Sequence, residues 1–245
     1  MNPIVGSILG MLASTPGHPV PAPLAAMPES LEVRWALSAL PPQLREQANV
    51  YVLDPAKGYR LYRAGTNGQH CYVQRTEWQF ADYDHSVFFP ICYGAGAAKS
   101  QLKLEFDVAA MRARGVSAQA VRTEVERRLK AGVYVPPRRP GVSYMAAPVM
   151  RAHVSQDTAN KTVMTMYLPH VMYLAPNVTD PQVGGMTPPP PSPYPFVLNG
   201  GPMGMFVQLM GVNEAKEVVT READLVQALC GWNTDLCVSR GPTMQ

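Results

Sequence analysis

The spacing of apolar residues changes period several times along the chain. Glu29–Leu40 (ESLEVRWALSAL) puts Leu31, Trp35 and Leu37 on one helical face and stops at Pro41-Pro42, which predicts a short helix. A further helical turn is expected over 43–48. From Asn49 the period falls to two. The runs 49–54 (NVYVLD), 59–64 (YRLYRA) and 69–76 (QHCYVQRT) are rich in β-formers and separated by Pro-Ala-Lys-Gly and Gly-Thr-Asn-Gly. Both separators are turn chemistry, Asn67-Gly68 is a hairpin signal, and together they predict an antiparallel meander. Residues 87–93 predict a fourth strand, which Pro90 confines to an edge or a bulge.

Helical spacing returns over 107–114, and then over 118–131, where Ser117 is the cap and Gly132 the stop. In that second helix Val121, Val125 and Leu129 form the inner stripe. Glu124/Arg128 and Glu126/Lys130 stand four apart in the favourable order. Strand patterning follows at 142–154, 162–174, 194–198 and 205–210. A last helix is expected over 220–230, capped by Thr220 with Leu225 and Leu229 inward. Strands, helices, more strands and a helix predict an α+β fold. The expected architecture is a single domain over 29–245 with a mostly antiparallel sheet and a few flanking helices.

Charge changes this picture at three places. Residues 1–28 hold no Asp, Glu, Lys or Arg but six prolines, and 4–13 (IVGSILGMLA) is an apolar run of signal-peptide length. No basic residue precedes it. The segment 1–28 is read as signal-like or disordered and the protein as secreted or periplasmic; the missing basic residue means that either the true start lies upstream of Met1 or the run is not a working signal. No stretch is long and apolar enough for a transmembrane segment. Residues 99–139 carry ten Lys/Arg against four Asp/Glu, but interleaved glutamates give that stretch the pattern of a solvated face, so nucleic acid is not an expected partner. Residues 162–213 contain one charge, Asp180. Within them 181–195 holds seven prolines, including Pro188–Pro191, which predicts a surface loop laying Met186 and Tyr194 over the edge beside His170.

The four cysteines, Cys71, Cys92, Cys230 and Cys237, form no C-x-x-C pair and allow three pairings. The pairing with the shortest loops is Cys71–Cys92 and Cys230–Cys237. An unbroken helix would hold the latter pair about 10.5 Å apart, beyond the ~7 Å a disulfide tolerates. The helix must therefore stop between them, and Gly231 is the expected stop.

Four segments, Trp35-Ala-Leu-Ser-Ala39, GTNGQHC at 65–71, PHVMYLAPN at 169–177 and PMGMFVQLMG at 202–211, resemble a family of uncharacterised bacterial secreted proteins. The family pattern is ALSA, GTNG-x-x-C and a Pro-His-x-Met segment. The likeness spans roughly residues 33–237. It implies export and a single domain, and it carries no activity.

Candidate chemistry is sparse. At period two Met164, Met166, Leu168, His170 and Met172 of 162–174 point one way, a soft face of the type that holds copper or caps a haem. The competing and favoured reading is a methionine-filled core. The five histidines make no i, i+2 or i, i+4 pair, so a metal site has to be assembled from His70, His153 and His170 on separate strands. His70 cannot serve Cys71 as a base, because neighbours on a strand face opposite ways. No nucleotide-binding or nucleophile-elbow motif occurs. The lead reading is therefore an extracytoplasmic, monomeric protein with a ligand-binding or structural role. Its partner is an unknown small molecule or protein, no cofactor is specified, and the ligand residues are Met172, Tyr173 and Tyr194. The alternative is a small metal-dependent enzyme lined by the three histidines.

Overall fold

A computed structural model describes residues 24–138, 140–185, 194–198 and 200–238. The signal-like run 4–13, Met186 and Pro188–Pro191 lie outside the described residues. The chain forms an α+β single domain. Among the described residues its strands are β1 (Asn49–Asp54), β2 (Gly58–Arg63), β3 (His70–Gln74), β4 (Phe89–Tyr93), β5 (Val142–Met145), β6 (Met150–His153), β7 (Val163–Met166), β8 (His170–Leu174), β9 (Phe196–Leu198) and β10 (Met205–Leu209). Eight of them make one mixed, mostly antiparallel sheet in the order β2-β1-β3-β4-β5-β8-β10-β9, and β6 pairs with β7 in a separate hairpin. The helices are α1 (Glu29–Ser38), α2 (Pro42–Arg45), α3 (Ala95–Ala113), α4 (Ala118–Lys130), α5 (Asp180–Val183), α6 (Val212–Arg221) and α7 (Ala223–Trp232).

The two faces of the sheet build two cores. On one face Val50, Cys71, Val73 and Cys92 meet Trp35 of α1 and Leu225 and Leu229 of α7. The Trp35 indole is fully buried, donates from Nε1 to the Val149 carbonyl at 3.0 Å and stacks on Phe88 at 5.5 Å. The Arg75 guanidinium lies 4.3 Å over the Phe88 ring. On the opposite face Tyr72, Tyr93, Met145 and Met172 meet Ala97 and Ala98 of α3 and Met150 and Ala152 of the hairpin.

Several expectations change. The first three strands are not a meander: β3 leaves β2 and joins the far side of β1 in parallel, through Asn49/His70 and Val50/Cys71. Asn67-Gly68 therefore turns a crossover. Its Asn67 side chain donates to the Leu44 carbonyl, and Gly65 crosses the backbone of 47–49 so closely that a Cβ would sit 2.2 Å from the Gln47 carbonyl oxygen. β4 is central, yet Pro90 is tolerated for a local reason. Cys71/Cys92 is a close pair, 4.1 Å between Cα atoms, so Val73/Pro90 two residues on is also a pair without ladder bonds. The proline nitrogen then faces β5, which ends at Met145 before reaching it.

The expected strand 142–154 divides at Ala146-Ala-Pro148 into β5 and β6, and 162–174 divides at Tyr167-Leu-Pro169 into β7 and β8. In each case a proline lacks the N–H that would continue the ladder. α3 is far longer than 107–114, because the glycines and alanines of 94–98 start it against the sheet. Thr220 lies inside α6 rather than capping the last helix, which starts after Glu222. Ordered structure begins before Glu29: Met27 is buried in the Trp35 core and the Ala25 carbonyl accepts from Arg75 at 3.3 Å.

Both disulfides are present, Cys71–Cys92 across β3 and β4, and Cys230–Cys237 with Cα atoms 4.4 Å apart. The break that permits the second is Asn233, extended at φ −144° and ψ 117°, not Gly231, which lies within α7.

Gly65→Ala tests the crossover. Placing a methyl group against fixed backbone costs on the order of 3 kcal/mol, which for a chain this size lowers the melting temperature by about 10 °C. Gly231→Ala, with open space around its Cβ, is expected to leave melting unchanged when both are followed by circular dichroism.

Candidate functional site

The three histidines proposed as metal ligands do not converge. His70 opens β3 and His170 opens β8, three strands apart in the sheet, about 14 Å at ~4.8 Å per strand. His153 ends β6 in the separate hairpin. His70 Nδ1 lies 3.0 Å from the Tyr51 hydroxyl, and burial lowers its pKa. Among the described residues no group of three or more His, Cys, Asp or Glu side chains is arranged to hold a metal ion. The proposed ligand residues also separate. Met172 is buried under the hairpin side of the sheet, while its neighbour Tyr173 faces the other way and stacks on Phe206 at 5.0 Å. Tyr194 is 65% exposed, while His170 is buried.

His153 belongs to a different constellation. Its buried ring donates from Nδ1 to Glu77 Oε2 at 2.5 Å and from Nε2 to Asp82 Oδ2 at 3.3 Å. Phe80 lies flat on it, 3.7 Å between centroids. Asp82 Oδ2 also takes the exposed His85 Nδ1 at 2.7 Å, and Oδ1 takes the Asp84 amide at 2.8 Å. Lys161 donates to the Phe80 carbonyl. Two carboxylates thus clasp a buried imidazole. Burial opposes the His153 charge, but the bonds and charges of Glu77 and Asp82 outweigh it and raise its pKa. Burial likewise opposes the Asp82 charge, and His85, the Asp84 amide and His153 together bring it below the usual carboxylate value. The result ties hairpin β6–β7 to the 77–88 segment, with Phe88/Arg151 as the adjoining backbone bridge. Glu77 and Asp82 carried no motif; only their position after β3 would have marked them.

Glu105 of α3 lies near this chain of groups. Burial pushes its carboxyl up to about 8, and the Glu77 charge adds to the effect. Glu32 of α1 is raised by burial to about 7, offset in part by the Leu53 amide it accepts at 3.0 Å.

The charge-poor region forms a cleft. Gln156, Asn177, Val178, Thr179, Asp180, Val197, Gly200 and Gly201 surround an open space of about 500 Å³, within the size range of small-molecule sites. Asn177 holds a positive φ of 60° that turns the chain into the cleft wall. Thr179 and Gln182 form a capping box at the start of α5. Asp180 Oδ1 accepts the Val197 amide at 2.6 Å, and Gln156 Nε2 donates to the Val197 carbonyl at 2.9 Å. The interleaved carboxylates of the basic stretch pair with its arginines as on the expected solvated face: Arg122 with Glu126, Arg127 with Glu124, and Arg128 with Glu124 and Asp107.

The titratable groups fix a pH dependence. For His153, Glu32 and Glu105 the folded pKa is above the unfolded value. Their contribution is therefore complete below the unfolded pKa and lost as pH rises through the folded one. Asp82, held low, contributes above its unfolded pKa and fails only in stronger acid. The melting temperature is expected to be several degrees higher at pH 5.5 than at pH 8.5, and Glu105→Gln to reduce that difference. A higher melting temperature at pH 8.5 would contradict these assignments. No family model, curated protein or solved structure matches this chain, so the resemblance read from its sequence rests on the sequence motifs alone.

Proposed function

We propose that this is an extracytoplasmic binding protein, ligand-binding rather than catalytic, and that its ligand occupies the cleft between Asn177–Asp180 and Gly200-Gly201. The two disulfides point to an oxidising compartment, and among the described residues no helix is long and apolar enough to cross a membrane. Those facts agree with a signal role for the run 4–13. The observation that carries the binding reading is the cleft itself, with amide, hydroxyl and carboxylate groups set on a mostly apolar floor. Among the described residues its lining contains Asp180 and no basic residue. A neutral polar or cationic small molecule fits that electrostatics, and an anion is disfavoured. The titratable groups around His153 are spent on one another, which supports a fastening role for them over catalysis.

Gly200 lines the cleft with open space at its Cβ and no left-handed φ, so Gly200→Phe blocks the site without strain. In a thermal-shift screen of neutral sugars, amino acids and polyamines, at least one compound at a hundred times its Kd is expected to add about 2.7 kcal/mol, or roughly 5–10 °C. Gly200→Phe should melt like the parent and lose that shift. A screen in which no compound shifts melting, or in which the shift survives Gly200→Phe, would remove the cleft from this reading.

A further inference from the structure

We propose that the hairpin side of the sheet holds a site for one soft monovalent cation, Cu(I) or Ag(I), formed by His170, Met145 and Met172 and closed by Met150 and Met166 of the hairpin. The register places these groups together. Met145 of β5 is directly opposite His170 of β8, and Met172 is two residues further along the same face. Directly opposed side chains on one face stand about 5 Å apart at Cβ. Met150 and Met166 oppose each other on the hairpin, and both belong to the same packed cluster. The order of the face differs from period two through 162–174, because Pro169 separates β7 from β8. The two halves nevertheless meet again when the hairpin folds over the sheet.

His170 is prepared as a ligand. Its Nδ1 lies 2.6 Å from the Leu168 carbonyl oxygen and donates to it. That fixes the tautomer and leaves the Nε2 lone pair for a metal, the arrangement in which a backbone carbonyl orients a ligating imidazole. Burial lowers its pKa and keeps the ring neutral. A second sign of an occupant is Ser143, fully buried opposite Met172 on the same face, whose Oγ has no hydrogen-bond partner.

The donor set selects the ion. Thioethers and one neutral imidazole suit a soft monovalent ion, and the absence of a carboxylate from the set disfavours Zn²⁺, Ca²⁺ and Mg²⁺. All four cysteines are in disulfides, so thioethers are the soft sulfur this chain has to offer. Met166, Leu168 and Leu209 are only partly buried at the rim, which gives the ion an approach from the start of β8.

The test uses the full chain, purified without a histidine tag, and Cu(I) held by a colorimetric chelator under ascorbate. One equivalent is expected to transfer to the protein, and Zn²⁺ is not expected to compete. Met145→Leu/Met172→Leu conserves volume and apolarity, so it should retain the fold while weakening Cu(I) binding at least 100-fold. As a measurement independent of any variant, Ag(I) titrated into protein labelled at the methionine methyl carbons should shift the Met145 and Met172 signals at one equivalent. Failure of Cu(I) to transfer, equal affinity in the folded double variant, or Ag(I) shifts confined to exposed methionines such as Met164 would each overturn the proposal. None of these readouts depends on the Gly200 cleft.

Discussion

The structure depends first on the burial of Trp35. Its ring is the point where α1, the segment before β4 and the β5–β6 connection meet, and the one polar atom it brings inside is satisfied by the Val149 carbonyl. A buried Trp is worth about 3–5 kcal/mol against its removal, a large part of the 5–15 kcal/mol that holds a domain folded. Phe88 lies on one side of this arrangement with Arg75 above it, and Trp232 of α7 meets Phe88 edge-on at 5.8 Å. The Cys71–Cys92 bond fastens the strands beneath. Through these contacts the first helix and the last are fixed to one core, and the polypeptide between them is obliged to build the sheet's opposite face.

That opposite face is where the hairpin matters. The hairpin shares no ladder with the large sheet, so nothing in backbone pairing to β8 or β10 orients it. The Phe88/Arg151 backbone bridge and side chains do so instead: His153 between Glu77 and Asp82, Lys161 on the Phe80 carbonyl, and Arg151 donating to the Ser86 carbonyl at 3.1 Å. Burying an imidazolium is costly unless both its N–H groups are paired with opposite charge, and here both are. The cost is one reason such a clasp is specific: a shift of either partner leaves a charge unpaired in a dry site.

Local signals survived into the structure where the local rule was also the tertiary rule. Ser117 caps α4 by accepting the Ala120 amide, and Gly132 ends it with a φ of 69°. Both disulfides follow from the short loops they close. The signals that failed were those where a distant element decides the outcome. Asn67-Gly68 carries turn chemistry whichever strand comes next, and only the seat of β3 on the far side of β1 makes it a crossover. The length of α3 is hidden because its first residues are small and pack on Gly141 and the sheet, leaving no wide apolar stripe to read. Glu77, Asp82 and Gln156 are ordinary polar residues in sequence; their roles exist only because the hairpin brings 151–161 against 77–88 and β9.

The hairpin is consequently the element common to every candidate feature. Its β6 strand ends at His153, in the carboxylate clasp. The turn that follows carries Gln156, which bonds Val197 and makes part of the cleft wall. Its inner face presents Met150 and Met166 to the cluster that holds Met145 and Met172. An element held by ionised groups on one end and by methionines beneath has two kinds of support with different sensitivities. The first responds to pH, because His153 donates to both carboxylates only while its ring is protonated at both nitrogens. The second is insensitive to pH and adaptable, because methionine side chains repack at little cost. Raising the pH weakens the clasp while leaving the apolar contacts intact, so the hairpin would loosen at the His153 end first, and that is the end from which Gln156 reaches the cleft.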